Sequence, residues 1–173
     1  VGSAHRGGFM PGMKAPAFYF DYDEVSACSL MQFEAVLRAT PRKRLGDITL
    51  AELSATPQPI GLYFLFDDQQ CLQYVGKSSS RSFIERIPSH LDPRPDSWFT
   101  TLPKKLIARS PHIDYRSALE HALGLDLVLL GVPQQPIIQR LETALRSDLQ
   151  PALNAGKPAA FARTRLLSQC AEV

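Results

Sequence analysis

A chain of 173 residues with 45% hydrophobic residues is long enough to bury one core and has the composition of an ordinary globular domain. No apolar run approaches about 18 residues, so the sequence predicts no membrane-spanning helix and no membrane partner. The formal net charge of +2 is too small to identify a nucleic-acid-binding protein by itself. Cys28, Cys71 and Cys170 are odd in number and far apart, which argues against a disulfide framework or a zinc site and favours a reducing compartment such as the cytoplasm.

The first part of the chain is predicted to be a poorly ordered arm followed by helices. The N-terminal residues are rich in Gly, Pro and Ala, which is typical of a terminus without a packed core. Apolar residues recur at helical spacing within residues 29–39, and Pro41 ends that segment. Thr49 and Glu52 form a capping-box pattern that starts a second, short helix. We therefore predict that residues 18–56 are a helical extension packed on the core.

The middle of the chain carries a hairpin pattern. Two short apolar runs flank the polar step 67–70, Asp-Asp-Gln-Gln, which predicts a β-hairpin. With a two-residue turn at the middle of that step, Tyr63 faces Tyr74 and Gly61 faces Gly76. Directly opposed residues share one sheet face, with Cβ atoms about 5 Å apart. Two phenols and two bare backbone positions are thus expected in one patch, a pattern that fits plain aromatic packing equally well.

A serine-rich loop then leads into a helix with two polar residues of interest. Arg86 and His90 are four residues apart, so a regular helix presents both on one face. Pro88 lies between them and favours a kink or a helix end. Residues 92–114 contain four prolines together with Trp98, and this composition predicts a long irregular insertion.

The last part of the predicted core is a strand followed by a helix. Residues 125–132 are short, apolar and β-favouring, which predicts a buried third strand. Pro136 suits the first turn of a helix whose apolar stripe faces the core. Glu142 lies at the margin of that stripe, where it can lean over the sheet or form a surface pair with Arg146.

The order of these features resembles the GIY-YIG nuclease family. The resemblance covers roughly residues 57–155 and implies an α+β fold, with a small three-stranded sheet flanked by helices and, here, an N-terminal helical extension. It divides the chain into an arm and extension at 1–56, a nuclease core at 57–155 and a tail at 156–173. The residues that carry it are the paired tripeptides Gly61-Leu62-Tyr63 and Tyr74-Val75-Gly76, then Arg86 with His90, then Glu142, and finally Asn154 after a proline.

The resemblance implies a divalent-metal-dependent DNA endonuclease that leaves 5′-phosphate and 3′-hydroxyl ends. Its cofactor would be Mg²⁺ or Mn²⁺, without an organic cofactor, and Glu142 would be the metal ligand. One carboxylate can suffice because Mg²⁺ keeps several waters and takes substrate phosphate as a further ligand. Arg86 would bind the scissile phosphate through its guanidinium fork, a geometry that lysine cannot copy.

The remaining site residues have expected roles around that phosphate. Tyr63 is the expected general base, and its phenol needs positive charge from Lys77, Arg86 or the metal to act at neutral pH. Tyr74 would hydrogen-bond the phosphate or the nucleophile, and His90 would serve as hydrogen-bond partner or proton relay. Supporting roles fall to Gly61, Gly76 and Asn154.

Basic clusters are candidate DNA contacts, although most clusters of this kind are solvated faces. The candidates, with one aromatic residue, are Arg81, Trp98, Lys104, Lys105, Arg42, Lys43 and Arg44. The preferred interpretation is a restriction-like enzyme, which would act on duplex DNA as a homodimer. Two alternatives stay open: a broad DNA-degrading toxin or effector nuclease, and a non-catalytic nucleic-acid-binding domain of the same fold.

Overall fold

The computed structural model describes residues 14–97 and 101–154. Five strands in these ranges form one mixed sheet: β1 (Tyr19–Asp21), β2 (Lys43–Arg44), β3 (Gly61–Phe66), β4 (Leu72–Ser78) and β5 (Asp126–Gly131). The order across the sheet is β1, β5, β3, β4, so β5 and β3 are central and β4 lies at an edge. β1 runs parallel to β5, whereas β2 pairs with β5 in the antiparallel sense, as do β3 with β4 and β3 with β5.

Helices cover both faces of this sheet. Within the described ranges they are α1 (Leu30–Ala39), α2 (Leu50–Ser54), α3 (Phe83–Ser89), α4 (Thr101–Arg109), α5 (Tyr115–Leu123) and α6 (Gln135–Leu149). One face packs against α3, α4 and α5, and the opposite face packs against α1 and α6. All six residues of β3 are buried, because a central strand between two helical layers has no solvent side.

The α+β class is confirmed, and several predicted elements lie where the sequence pattern placed them. Ser29 is the N-cap of α1, and the Thr49 hydroxyl accepts a bond from the Glu52 amide at the start of α2. The apolar segment 125–132 contains β5, and α6 has a proline in its first turn. These elements have strong local signals, namely a cap, an apolar run or a helical period.

The predicted three-stranded sheet is wrong for the described part of the chain, which has five strands. The two additional strands, β1 and β2, lie in the segment predicted to be a purely helical extension. Both add to the outer side of β5 and are only three and two residues long. Such short strands show too few alternations for a period of two to be visible in the sequence.

The predicted irregular insertion at 92–114 is also wrong, because it contains α4. Pro103 falls in the first turn of this helix, where a missing amide donor costs little. The other prolines lie before and after the helix instead of inside it. A further helix, α5, follows directly, with Asp114 as its N-cap accepting from the Ser117 amide at 2.7 Å.

The cysteines differ from expectation. Of the cysteines in the described residues, Cys28 is free and Cys71 is disulfide-bonded. The sequence predicted no disulfide framework, and it did not indicate this single bond.

Some predictions fall outside the described residues, among them the N-terminal arm, Trp98 and the tail at 156–173. Where the structure is described, no helix has the length and apolar character needed to cross a membrane.

Candidate active site

The hairpin of β3 and β4 forms, but its register differs from the expected one. Tyr63 pairs with Gly76 and Gly61 pairs with Ser78, so the predicted Tyr63–Tyr74 and Gly61–Gly76 pairs are wrong by two residues. The loop has three residues instead of two, with the Asp67 amide bonded to the Cys71 carbonyl, and a further irregularity follows Leu65.

The loop geometry gives the reason for this difference. Gln70 adopts a left-handed φ of 66°, as is common at the end of a three-residue hairpin loop. The Asp67 carboxylate accepts from the Cys71 amide at 2.8 Å and from the Gln73 side chain at 2.6 Å, which holds the longer loop. A shift of two residues leaves each side chain on its original face. Tyr63 and Tyr74 therefore still lie together, with ring centroids 5.9 Å apart.

The two glycines of the motif make room for close approaches. A Cβ at Gly76 would lie 2.2 Å from the Tyr63 ring carbon Cζ, so this ring occupies the space above the bare backbone. Gly61 has a φ of +152°, and a Cβ there would lie 1.9 Å from the Leu130 carbonyl oxygen. Each position thus requires glycine, one for the phenol and one for the strand pairing.

His90 completes a buried polar cluster with the tyrosines. It caps the C-terminus of α3, and its Nε2 lies 2.5 Å from the Tyr63 hydroxyl. Its Nδ1 lies 2.5 Å from the hydroxyl of Thr101 at the start of α4. Burial, with Arg86 nearby, lowers the pKa of His90 to about 3, so the imidazole is neutral at physiological pH. Pro88 is accommodated within α3 and does not separate His90 from Arg86.

The surroundings of the Tyr63 hydroxyl oppose its ionisation. Its side chain is 0% exposed, and desolvation raises its pKa well above the usual value. The neighbouring Arg86 guanidinium lowers the pKa, but by less than burial raises it. Burial raises the pKa of Tyr74 as well. Arg86 alone thus does not offset the effect of burial on the pKa of Tyr63, because a buried phenolate lacks solvation.

Arg86 connects this cluster to an open cleft. The cleft has a volume of about 380 Å³ and is lined by three cations and four hydroxyl-bearing residues: Lys77, Ser78, Ser79, Ser80, Arg81, Arg86 and Thr101. Arg86 also lies beside the Tyr63 hydroxyl. An anion bound to Arg86 in the cleft would thus lie close to the buried phenol.

Glu142 lies on α6, on the other face of the sheet, beside the edge strand β4. Its side chain is only 12% exposed, and its Oε2 forms an ion pair with Lys77 Nζ at 2.8 Å. The alternative pair of Glu142 with Arg146, four residues later, is also present, at 3.5 Å. Glu142 is nevertheless buried, so this is not a solvated surface pair. Its charge also raises the pKa of Tyr74. The carboxylate therefore lies close enough to Tyr74, around the edge of β4, to affect its ionisation.

The donor set around Glu142 is compatible with one hydrated hard cation. Within residues 14–97 and 101–154 no three histidine, cysteine, aspartate or glutamate side chains converge, so any metal would have few protein ligands. A carboxylate has about four lone-pair positions, and Lys77 and Arg146 engage one oxygen each. Oxygen ligands and a water-rich shell are the environment that Mg²⁺ prefers.

Asn154 closes the open edge of β4. Its side-chain oxygen accepts from the Val75 amide at 2.6 Å, and its side-chain nitrogen donates to the Val75 carbonyl at 2.7 Å. The neighbouring Leu153 amide bonds the Gln73 carbonyl, and Lys105 Nζ donates to the Leu153 carbonyl at 2.9 Å. Asn154 thus holds the strand that carries Tyr74 and Lys77.

The predicted DNA contacts are distributed unevenly. Arg81 lines the cleft, whereas the Lys105 ammonium turns toward Leu153 and Lys104 donates to the Ser97 carbonyl. The segment Arg42, Lys43 and Arg44, also a candidate DNA contact, lies at the turn end of the hairpin, near Phe66 and Asp126.

Sequence reasoning missed Thr101 and the three loop serines as cleft residues. Thr101 gave no signal because its contact with His90 depends on the start of α4, inside a segment predicted to be irregular. The serines did give a signal, since they directly follow Lys77, but the sequence assigned them only to a loop that leads into a helix. The residue that caps α3 is Ser82, through a capping box with Glu85.

Comparison with known proteins adds no assignment, since no protein-family model, curated protein or solved structure matches the chain. The resemblance to the GIY-YIG family remains a prediction carried by the residues themselves.

Proposed function

We propose that the chain is a divalent-metal-dependent DNA endonuclease whose active site is the cleft formed by β4, the serine loop, α3 and the start of α4. One observation carries the proposal. Lys77 lines the cationic cleft and pairs with the largely buried Glu142, and Arg86 lines the same cleft beside the buried cluster of Tyr63, Tyr74 and His90. Hydrolysis of a phosphodiester needs phosphate binding, proton transfer and charge stabilisation in one place.

Phosphate binding falls to the side chains of the cleft. The Arg86 guanidinium offers paired donors to phosphoryl oxygens, and Lys77 adds a point charge at the margin of the cleft. The hydroxyl groups of the serine loop can donate to further oxygens. These groups contact the backbone of a nucleic acid and carry no sequence information by themselves.

Proton transfer falls to the tyrosine and histidine cluster. The attacking water has to lose a proton, and Tyr63 can accept it only while passing its own proton to His90, since a buried phenolate is disfavoured. The Nε2 distance of 2.5 Å to the Tyr63 hydroxyl places the two groups within direct transfer range.

Glu142 would hold a metal ion through the carboxylate positions that Lys77 and Arg146 leave open. Bound there, Mg²⁺ or Mn²⁺ would offset charge on the phosphoryl oxygens and lower the pKa of a bound water. Lys77, Arg86 and Arg146 outnumber the carboxylate, so cation binding alone is electrostatically unfavourable. We therefore expect the metal to bind much better together with the DNA phosphate, which isothermal titration of Mn²⁺ with and without duplex would show.

The test of the proposal is plasmid cleavage in Mg²⁺ or Mn²⁺ and in EDTA. Cutting with the metal ion, together with plasmid that stays intact in EDTA, supports the proposal. Discrete fragments would indicate a restriction-like enzyme. A smear would indicate a broad DNA-degrading nuclease. Sedimentation with cognate duplex would test the homodimer expected for the restriction-like enzyme.

A second candidate function is a nucleic-acid-binding domain that does not cut. Two observations favour this candidate. Glu142 is already engaged in ion pairs, and burial keeps the Tyr63 phenol protonated, so neither group is in the form that catalysis needs. Binding of duplex DNA without cleavage, at any metal concentration tested, would establish this candidate and remove the first.

A further inference from the structure

The imidazole of His90 has a polar partner on each side. The ring is 1% exposed, and Nε2 meets the Tyr63 hydroxyl while Nδ1 meets the Thr101 hydroxyl, both at 2.5 Å. Thr101 is also part of the cleft wall. These three residues come from β3, the end of α3 and the start of α4. They form one continuous path from a fully buried phenol to the cleft.

We propose that Thr101 is a positioning residue that fixes the tautomer of His90 and forms the outer end of a proton relay from Tyr63 to the cleft. The inference rests on the proposed nuclease function and deepens it. Thr101 matches no part of the motif that the sequence resembles, and nothing in its local sequence marks it.

A neutral imidazole carries one N–H, so its two partners must play different parts. When Nδ1–H donates to Thr101 Oγ1, Nε2 is left as an acceptor for the Tyr63 O–H. The Thr101 hydroxyl then keeps its own hydrogen for a cleft water. In this arrangement all donors point from Tyr63 toward solvent, which is the order that a relay requires.

The transfer balances without a buried charge. As the attacking water gives a proton to Tyr63 Oη, the Tyr63 proton passes to Nε2, the Nδ1 proton passes to Thr101 Oγ1, and the Thr101 proton passes to a cleft water. Tyr63, His90 and Thr101 each end neutral, with His90 in the other tautomer. Passage in the reverse direction returns one proton to the departing oxygen and resets His90. The relay thus avoids the phenolate and the imidazolium that burial disfavours.

Three variants separate a relay from a purely structural role. Thr101→Val keeps the shape without the hydroxyl, and Thr101→Ser keeps the hydroxyl. Thr40→Val removes a half-buried hydroxyl bond at the C-cap of α1, on the opposite face of the sheet. We expect Thr101→Val to lower kcat about tenfold or more, at near-constant KM, as part of the effect of general acid–base catalysis. Thr101→Ser and Thr40→Val should stay within about twofold of the wild type. Wild-type kcat in a folded Thr101→Val would overturn the relay.

A spectroscopic measurement tests the same point without catalysis. The ¹⁵N shifts of the His90 ring distinguish a protonated Nδ1 from a protonated Nε2. We expect Nδ1–H in the wild type and in Thr101→Ser, and loss of that single tautomer in Thr101→Val. A proton on Nε2 instead of Nδ1 in the wild type would overturn the inference. This measurement needs no variant, so it holds even if Thr101→Val does not fold. Absence of DNA cleavage by the wild type would instead remove the nuclease proposal and leave the tautomer result to stand on its own.

Discussion

The two ends of the β3–β4 hairpin both carry cations, but only the cations of one end line an open cleft. At the turn end, Arg42 lies 3.7 Å over the Phe66 ring, Lys43 pairs with Glu52, and Arg44 lies 4.0 Å from Asp126. The cleft end, with Lys77, Arg81 and Arg86, is about 17 Å away along five residues of strand.

The difference between the two ends lies in shape, since the residue types are the same and each end holds an ion pair. Cations of the turn end contact a ring or a carboxylate, and at the cleft end Lys77 pairs with Glu142. Cations of the cleft end line a concave wall together with hydroxyl groups, and a concave wall concentrates the field on a bound anion. Local charge density in the sequence therefore does not distinguish the two ends, whereas the shape of the surface around the charges does.

The largest expected effect is at the cleft end, in Glu142→Gln. The amide keeps the shape but loses the charge that a metal needs, so cleavage should fall by at least about a hundredfold, equivalent to about 3 kcal/mol of transition-state stabilisation. DNA affinity should be retained or increase, because a negative charge beside Lys77 disappears. Single-turnover cleavage and a filter-binding titration measure the two quantities.

Glu34→Gln is the matched control for this variant. It changes a half-buried carboxyl on α1, away from the cleft, and should leave cleavage unchanged. Equal cleavage by Glu142→Gln and the wild type would remove Glu142 from the site.

The next largest effect separates the two ends directly, through one substitution made at each. Arg86→Lys removes the guanidinium fork in the cleft and should lower cleavage about a hundredfold, the usual cost of losing one oriented donor. Arg42→Lys makes the same change over the Phe66 ring and should leave cleavage at the wild-type rate. Equal losses in both variants would show that the turn end also contacts DNA and would break the comparison.

The sequence predicted the residues around β4 better than it predicted their geometry. The hairpin, α6 and the shared face of Tyr63 and Tyr74 follow from apolar spacing and from the parity of the strands. The register does not follow, because loop length depends on the Asp67 bonds and on the left-handed Gln70, which composition alone does not reveal.

Burial accounts for the rest of what sequence reasoning missed. The sequence offers cations that could lie near Tyr63, but it does not show the burial under α3 and α4 that raises the pKa of the phenol. The contact between Thr101 and His90 likewise depends on where two helices end and begin. Both are properties of packing between distant segments, which a local pattern cannot supply.

A moderate effect is expected on acid stability through His90. Its pKa is about 3 in the fold against 6.5 for a free imidazole, so the unfolded chain binds the proton first as pH falls. The free energy of unfolding should therefore decrease from about pH 6.5 downward toward pH 3, by at most about 1.4 kcal/mol per pH unit. Urea titrations at several pH values measure this slope.

The comparison variants are His90→Gln and His121→Gln, the latter at an exposed position on α5. His90→Gln should flatten the slope in that interval, and His121→Gln should not. The same slope in His90→Gln as in the wild type would show that His90 does not titrate as its burial indicates.

The smallest effect belongs to the turn end, in Lys43→Met. The Lys43–Glu52 pair, at 2.5 Å, is about one third exposed on each side, and such pairs contribute less than about 1 kcal/mol. Glu52 keeps its bonds to the Thr49 amide and hydroxyl, so the cap of α2 survives the change. Lys77→Met should cost more stability, since Glu142 is largely buried and would keep only the longer Arg146 contact. The urea midpoints of the two variants measure the effect of the same substitution at each end. A larger loss of stability in Lys43→Met than in Lys77→Met would show that Lys43, not Lys77, is held in the more buried pair.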